Sequence, residues 1–424
     1  MSVAAAIALL LLGLTAAVGG LNAIRPSKTW WLVLTSWAAG WVTIELAPHL
    51  IFFSGLVAAG LIALGGLENE VGIAGLALLV IADAIGAVFT WRAVRSVQIA
   101  RNAIAELDPD PEVPRYPRIQ ILLPFLMFRR RGVRHERGVV YARHGELPLK
   151  LDVYLPELAA SEPRPAIVQV HGGGWVSGTR KEQGIPLLNH LAANGWVGFN
   201  INYRLSPLAT WPDHAIDVKR AIAWVREHAE EYNVDPSFIA LTGGSAGGHI
   251  SAFVGLTSDD KSLQPGFEDA DTSVAATVPF YGVYDMLDED AIHLPIVQWV
   301  LERYVFKAFR SDDPDAFRDA SPTHRVHAGA PPYLVIHGDS DSLTTVEDAR
   351  HFVAALREAS DSAVLYAEMR GGQHAFDLIP SLRTVPVIEA IERFLHTVRT
   401  RRDLPESVEA EVDDEMPDRV PLGA

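Results

Sequence analysis

With 424 residues, 49% of them apolar, and a mean hydropathy of +0.14, the chain is long enough for one large domain plus a second part. It is too apolar to read as soluble throughout. A net charge of −16 argues against nucleic acid as a partner, and the lack of cysteine excludes disulfides and is compatible with a reducing compartment.

Residues 2–24 hold no charge and no proline, and at about 1.5 Å per residue they are long enough to cross a hydrocarbon core of about 30 Å. Residues 71–91 form a second such stretch, with only Asp83 inside it. Between them, residues 30–66 are apolar for too long to be one span, and Glu45, Ala47, Pro48 and His49 interrupt them. Three or four membrane helices are expected, in an all-α transmembrane region over residues 1–95. A cleaved signal peptide is the rival reading of the first stretch, but it lacks a basic start, runs too long and is followed by further spans. Trp30, Trp31 and Trp91 at segment ends match interface anchors better than a buried helical core. Asp83 and Glu45 read as charges facing neighbouring helices or the interface, with a functional charge inside the membrane as the alternative.

Orientation follows from the basic residues. The stretch 68–70 has none, whereas Arg92, Arg95, Arg101, Arg115, Arg118, Arg129, Arg130, Arg131 and Arg134 follow the last apolar run. The large domain should therefore face the cytoplasm. Residues 96–134 form a basic juxtamembrane or cap segment. Its run 119–128 is apolar, basic at both ends and too short to span, so it reads either as a surface-lying or re-entrant membrane element or as a buried piece of a cap.

Residues 135–400 alternate strand and helix patterns, as a mostly parallel sheet with helices on both faces requires. Strands are expected at 138–142, 150–155, 166–170, 197–201, 238–241, 274–279, 333–337 and 364–369, eight in all. Helices are expected at 182–194, 213–232, 246–256, 345–359 and 385–400. An insertion carries Leu294, Val297, Leu301, Tyr304 and Val305 at helical spacing, a stripe that reads as core or as an acyl-pocket lid. The tail 401–424 is acidic and is expected to be disordered.

Chemistry-bearing residues follow four of these strands. The glycine loop of His171, Gly172, Gly173, Gly174 and Trp175 comes after the third, where backbone N–H groups can meet a developing oxyanion because no Cβ blocks them. After the fifth, Gly243-Gly244-Ser245-Ala246-Gly247-Gly248 places one serine on a sharp strand-to-helix turn flanked by glycines. Alone that pattern is weak, since a glycine-rich turn is also a phosphate loop or a structural turn. Asp339 and Asp341 follow the seventh strand and His374 the eighth. The order Ser, Asp, His is that of α/β-hydrolases.

Through HGGGW, GGSAGG, HGDSDSL and GGQHAF, and through Asn202-Tyr203-Arg204-Leu205-Ser206-Pro207, the chain resembles the hormone-sensitive-lipase-like branch of α/β-hydrolase carboxylesterases over roughly residues 135–400. Two departures are Gly244, where many members carry an acid, and His249 after the double glycine; both also resemble related small esterases and arylformamidases. The resemblance implies an α/β-hydrolase fold and a serine esterase or lipase, which with the apolar N-terminal region is expected to be membrane-anchored and to act on short to medium acyl esters. Ser245 is then the nucleophile, His374 the base and Asp341 its acid, favoured over Asp339 by the GxxDxL pattern. The oxyanion hole falls to the N–H groups of Gly173, Gly174 and Ala246. Neither a cofactor nor a metal is called for, and His190, His214, His228 and His351 read as structural. An arylformamidase-like amidase and a catalytically inactive membrane scaffold remain as alternatives.

Overall fold

A computed structural model describes residues 2–105, 107 and 112–402. Most of the tail expected to be disordered, residues 403–424, lies outside the described residues.

Eight strands form one sheet in the order β1-β2-β4-β3-β5-β6-β7-β8. They are β1 (Val133–His144), β2 (Leu147–Pro156), β3 (Arg164–Val170), β4 (Val197–Ile201), β5 (Val234–Gly244), β6 (Ala276–Phe280), β7 (Tyr333–Gly338) and β8 (Val364–Met369). Each coincides with an expected strand. β1 and β2 pair antiparallel, as do β2 and β4, and the remaining neighbours are parallel.

The two-residue period of the strands sorts their side chains between the two faces. Ala166, Val168 and Val170 of β3 and Ile239 and Leu241 of β5 enter one core, with Val218 and Ile222 of helix Asp213–Glu227 and Ile250 and Phe253 of helix Ala246–Leu256. Ile167 and Ala240 enter the other, with Leu188 and Leu191 of helix Ile185–Ala193 and Ile388, Ile391 and Phe394 of helix Thr384–Arg402. Each fully buried Val, Leu, Ile or Phe contributes roughly 1.5 to 3 kcal/mol, so a sheet covered on both faces is the arrangement that satisfies every central strand. The apolar stripe of the insertion joins the first core through Leu301 and Val305, beside Phe317, which makes it packing and not a lid surface.

The N-terminal region consists of α1 (Ser2–Ile24), α2 (Val33–Glu45), α3 (Ala47–Ala63) and α4 (Glu70–Ala103). α1 and α4 are each long and apolar enough to cross a membrane, and α2 with α3 makes a third candidate, bent by 84° at the break. The break falls at Leu46, beside the Glu45 to His49 interruption, and Pro48 starts α3. α1 and α4 run parallel: a Cβ at Gly13 would sit 2.1 Å from the Gly75 carbonyl oxygen, an approach only small residues permit. α3 returns in the opposite sense, with Ile51 against Gly86.

At about 1.5 Å per residue, the 34 residues of α4 outrun a bilayer core. Its end instead joins the second core of the sheet, where Ala100 packs with Ile104, Leu107 and Tyr116. The apolar run 119–128 forms two short turns. Gln120 and Met127 are buried, while Leu122 and Phe125 are each 66% exposed, and His49 Nε2 lies 3.1 Å from the Leu122 carbonyl oxygen at the start of α3.

Candidate active site

The C-terminal ends of β3, β5, β7 and β8 bring the glycine loop, Ser245, the two aspartates and His374 to one edge of the sheet. Ser245 leaves β5 at φ 58° and ψ −121°, a region that non-glycine residues rarely occupy, and it caps helix Ala246–Leu256. Its neighbours make that turn possible. A Cβ on Gly243 would lie 2.4 Å from the Gly247 carbonyl oxygen, and one on Gly172 would lie 2.9 Å from Ser245 Cβ. The glycine loop is thus pressed against the serine, and any side chain at Gly172 would displace it.

The loop is held from behind. Gln183 Oε1 accepts the Gly172 N–H at 2.6 Å, and Tyr203 donates its hydroxyl to the His171 carbonyl at 3.0 Å while stacking on the His171 ring. Burial lowers the His171 pKa to about 4, so its ring is neutral near neutral pH. With Gly172 engaged, the N–H groups of Gly173, Gly174 and Ala246 have no acceptor among the described residues. Three unsatisfied donors beside one serine are the kind of group that can hold a negative charge.

His249 has a structural place. It is fully buried, its Nδ1 accepts the Trp175 indole N–H at 3.3 Å, and its Nε2 donates to the Ala320 carbonyl at 2.9 Å. It ties the glycine loop to the helix behind Ser245. Gly244 is explained by Tyr281, whose hydroxyl oxygen would lie 2.7 Å from a Cβ at that position. The Tyr281 hydroxyl donates to Asp377 Oδ1, and its ring lies 4.7 Å from that of His374. An acid therefore does stand behind the serine turn, but it arrives from the far end of the chain.

Asp341 Oδ2 accepts from His374 Nδ1 at 2.7 Å and from Thr344 Oγ at 3.1 Å. Its Oδ1 accepts the N–H groups of Leu343 and Thr344, both at 2.8 Å. Burial by itself would raise the Asp341 pKa, but His374 and His337 outweigh it and hold the carboxyl well below the usual range. Asp339 serves the turn, accepting the Gly371 N–H at 2.6 Å. Ser245 Oγ makes no hydrogen bond among the described residues, so its bond to His374 is not formed in this structure. Serine and histidine are bridged instead through consecutive residues of β6 and its end: Ser245 N–H donates to the Phe280 carbonyl at 3.0 Å, and Tyr281 packs on His374.

The four histidines read as structural all have partners. His190 lies between Arg130 and Glu392, His214 meets the Ser206 hydroxyl, His228 the Trp224 carbonyl, and His351 lies 3.1 Å from Asp290.

Sequence reasoning missed Tyr281, Asp377 and Thr344. It also missed two tryptophans of α2: the Trp37 indole N–H donates to the His374 carbonyl at 3.0 Å, and that of Trp41 to the Ala375 carbonyl at 2.9 Å. Tyr281 had a signal in its place directly after an expected strand; the tryptophans, more than 330 residues away in the chain, had none.

Residues 151–356 match the BD-FAE family model. The chain is 48% identical to the probable carboxylic ester hydrolase LipM of Mycobacterium tuberculosis over 270 residues, 63% of this chain and 62% of that protein. It is 44% identical to esterase LipC of the same organism over 276 residues, 65% and 68% of the two chains. The match thus spans about three-fifths of LipM, and 60% of the related esterase LipQ. Among solved structures, a truncated carbohydrate esterase from gut microbiota superimposes with a TM-score of 0.55 at 27% identity, covering 63% of this chain and 96% of that one. Native esterase 2 of Thermogutta terrifontis gives 0.53 at 26% identity, covering 65% and 95%. The mixed eight-stranded sheet is that of the α/β-hydrolase fold, and the chain belongs to the carboxylic ester hydrolase family that includes LipC.

Proposed function

We propose that this chain is a membrane-anchored serine carboxylesterase that hydrolyses short to medium acyl esters, with Ser245, His374 and Asp341 as its triad. The observation that carries the reading is the strained Ser245 turn seated against Gly172, beside three unpaired N–H groups and an Asp341–His374 pair.

In this reaction His374 Nε2 takes the hydroxyl proton as Ser245 Oγ attacks the ester carbonyl, while Asp341 holds the Nδ1–H tautomer and stabilises the cation. The N–H groups of Gly173, Gly174 and Ala246 hold the oxyanion. Collapse expels the alcohol, which receives the proton from His374, and water then releases the acid by the same path in reverse. The unperturbed histidine pKa of about 6.5 suits both transfers.

For the anchor, α1 and α4 cross the bilayer, α3 supplies the returning part of the bent α2–α3 candidate, and α2, at 84° to α3, lies against the catalytic domain through Trp37 and Trp41. The parallel course of α1 and α4 puts Arg25 and Lys28 at the same end as Arg92 and Arg95, and this shared basic end supports a cytoplasmic location for it.

The test is fluorophosphonate labelling of the membrane fraction. Ser245→Ala should abolish labelling and lower ester turnover by several orders of magnitude, since an intact oxyanion hole retains only about 10³ to 10⁴ over water. Labelling that persists removes the assignment. Formamide turnover exceeding ester turnover would favour an amidase, the alternative suggested by the run Ser245-Ala246-Gly247-Gly248-His249.

A further inference from the structure

A tether has no need to touch the chemistry it carries. α2 does touch it, along a single stripe. Trp37, Trp41 and Glu45 recur every fourth residue and so share one helix face. All three meet the segment that carries His374: Trp37 and Trp41 donate to the carbonyls of His374 and Ala375, and Glu45 pairs with Arg383 and accepts the Ser381 hydroxyl at 2.9 Å. Ala38, Ala39 and Val42, off that stripe, line a cavity of about 650 Å³ among the membrane helices.

The segment needs such support. After β8 it crosses from His374 to helix Thr384–Arg402 without regular structure apart from one short turn, and Ala375 sits at φ 60°, strained for a residue with a Cβ. The Trp37 indole is the only donor to the His374 carbonyl among the described residues; the Ala375 carbonyl also accepts the Leu378 N–H, at 3.3 Å. The two rings stand 6.5 Å apart between centroids, edge to face, so Trp37 both fixes the backbone of the base and bounds the space its imidazole occupies. Asp341 and Tyr281 hold the same imidazole from the catalytic domain.

We infer that α2 is part of the catalytic site: Trp37 and Trp41 are positioning residues that hold the His374 loop from the membrane side. The inference rests on the proposed roles of Ser245 and His374. Its consequence is that the membrane region sets the geometry of the base for every substrate, soluble or embedded. A displaced base slows chemistry while leaving ground-state binding intact, and supporting contacts of this kind are typically worth 10 to 100-fold.

The experiment uses the full chain in lipid nanodiscs with p-nitrophenyl butyrate, turnover being normalised to sites labelled at the fluorophosphonate endpoint. Trp37→Phe keeps an aromatic ring and removes the donor; Trp41→Phe does the same one turn on. Trp30→Phe, at a 66% exposed indole, is the control. The expected result is a fall in kcat of about tenfold for Trp37→Phe and more for the double variant, with KM within about twofold and Trp30→Phe unchanged. A double variant whose kcat per labelled site equals wild type overturns the inference, and so does a loss explained wholly by fewer labelled sites. Failure of the underlying reaction is distinguishable, because it appears as labelling that survives Ser245→Ala.

Discussion

Asp341 Oδ2 lies 2.7 Å from His374 Nδ1, whereas Asp339, two residues earlier, spends its carboxylate on the Gly371 N–H. Neighbouring acids on one turn thus divide between an imidazole and the backbone. Asp341→Asn should keep the fold and lower kcat by roughly 10⁴, by analogy with the serine-protease case in which the amide imposes the wrong imidazole tautomer. Asp339→Asn should cost far less and act through stability. Steady-state kinetics on folded protein check the ranking, and the reverse order would transfer the role to Asp339.

Glu45 and Arg383 form an ion pair with side chains 1% and 0% exposed, joining α2 to the start of the last helix. Removing one partner of such a pair leaves a buried charge and typically costs about 3 to 5 kcal/mol, whereas replacing both is much milder. Arg383→Leu should therefore lower the unfolding midpoint in detergent sharply, and Glu45→Leu combined with it should recover most of the loss. Additive losses would mean that the two side chains are not coupled.

Three buried imidazoles predict acid sensitivity. Burial lowers His171 and His249 to about 4 and His214 to about 3, against 6.5 when unfolded. Between those values the unfolded chain binds more protons, so stability rises with pH across the window and is lost as pH falls from about 6.5 towards 4. Each histidine adds about 1.4 kcal/mol per pH unit there. His293 has the opposite sign: burial opposes its charge, but Asp348 and Asp288 raise its pKa, so its contribution is lost above 6.5. Thermal midpoints should fall steadily from pH 6.5 to 4.5, and a flat profile would show that these rings are not held neutral.

The chain has no cysteine, so single introduced thiols report topology without background. Glu68→Cys, in the turn between α3 and α4, should react with an impermeant maleimide on intact cells. Asp361→Cys, after helix Val346–Ala359, should react only once the membrane is opened. The reverse pattern would place the catalytic domain outside.

Much of this molecule is legible in the chain because the responsible physics is local. Strands such as β3 and β5 announce themselves by short apolar runs, and their glycine-rich ends mark the turns where Gly172 and Ser245 must pack without side chains between them. The resemblance to the GxxDxL pattern favoured Asp341 over Asp339, and it is Asp341 that lies against His374. The insertion's stripe of Leu301 and Val305 was legible as core or lid, but not which, because a helical period states that one face is buried without saying against what. The contacts that cross the whole chain were not legible. Trp37 reads as one more aromatic in an apolar stretch, and its bond to the His374 carbonyl exists only once α2 turns 84° from α3 and lies on the catalytic domain. Gly244 reads as a missing acid until Tyr281 fills its place and brings Asp377 behind the serine. Period, turn chemistry and motif order are properties of neighbours along the chain, whereas the partner of a buried donor or charge is settled by which distant elements dehydrate together.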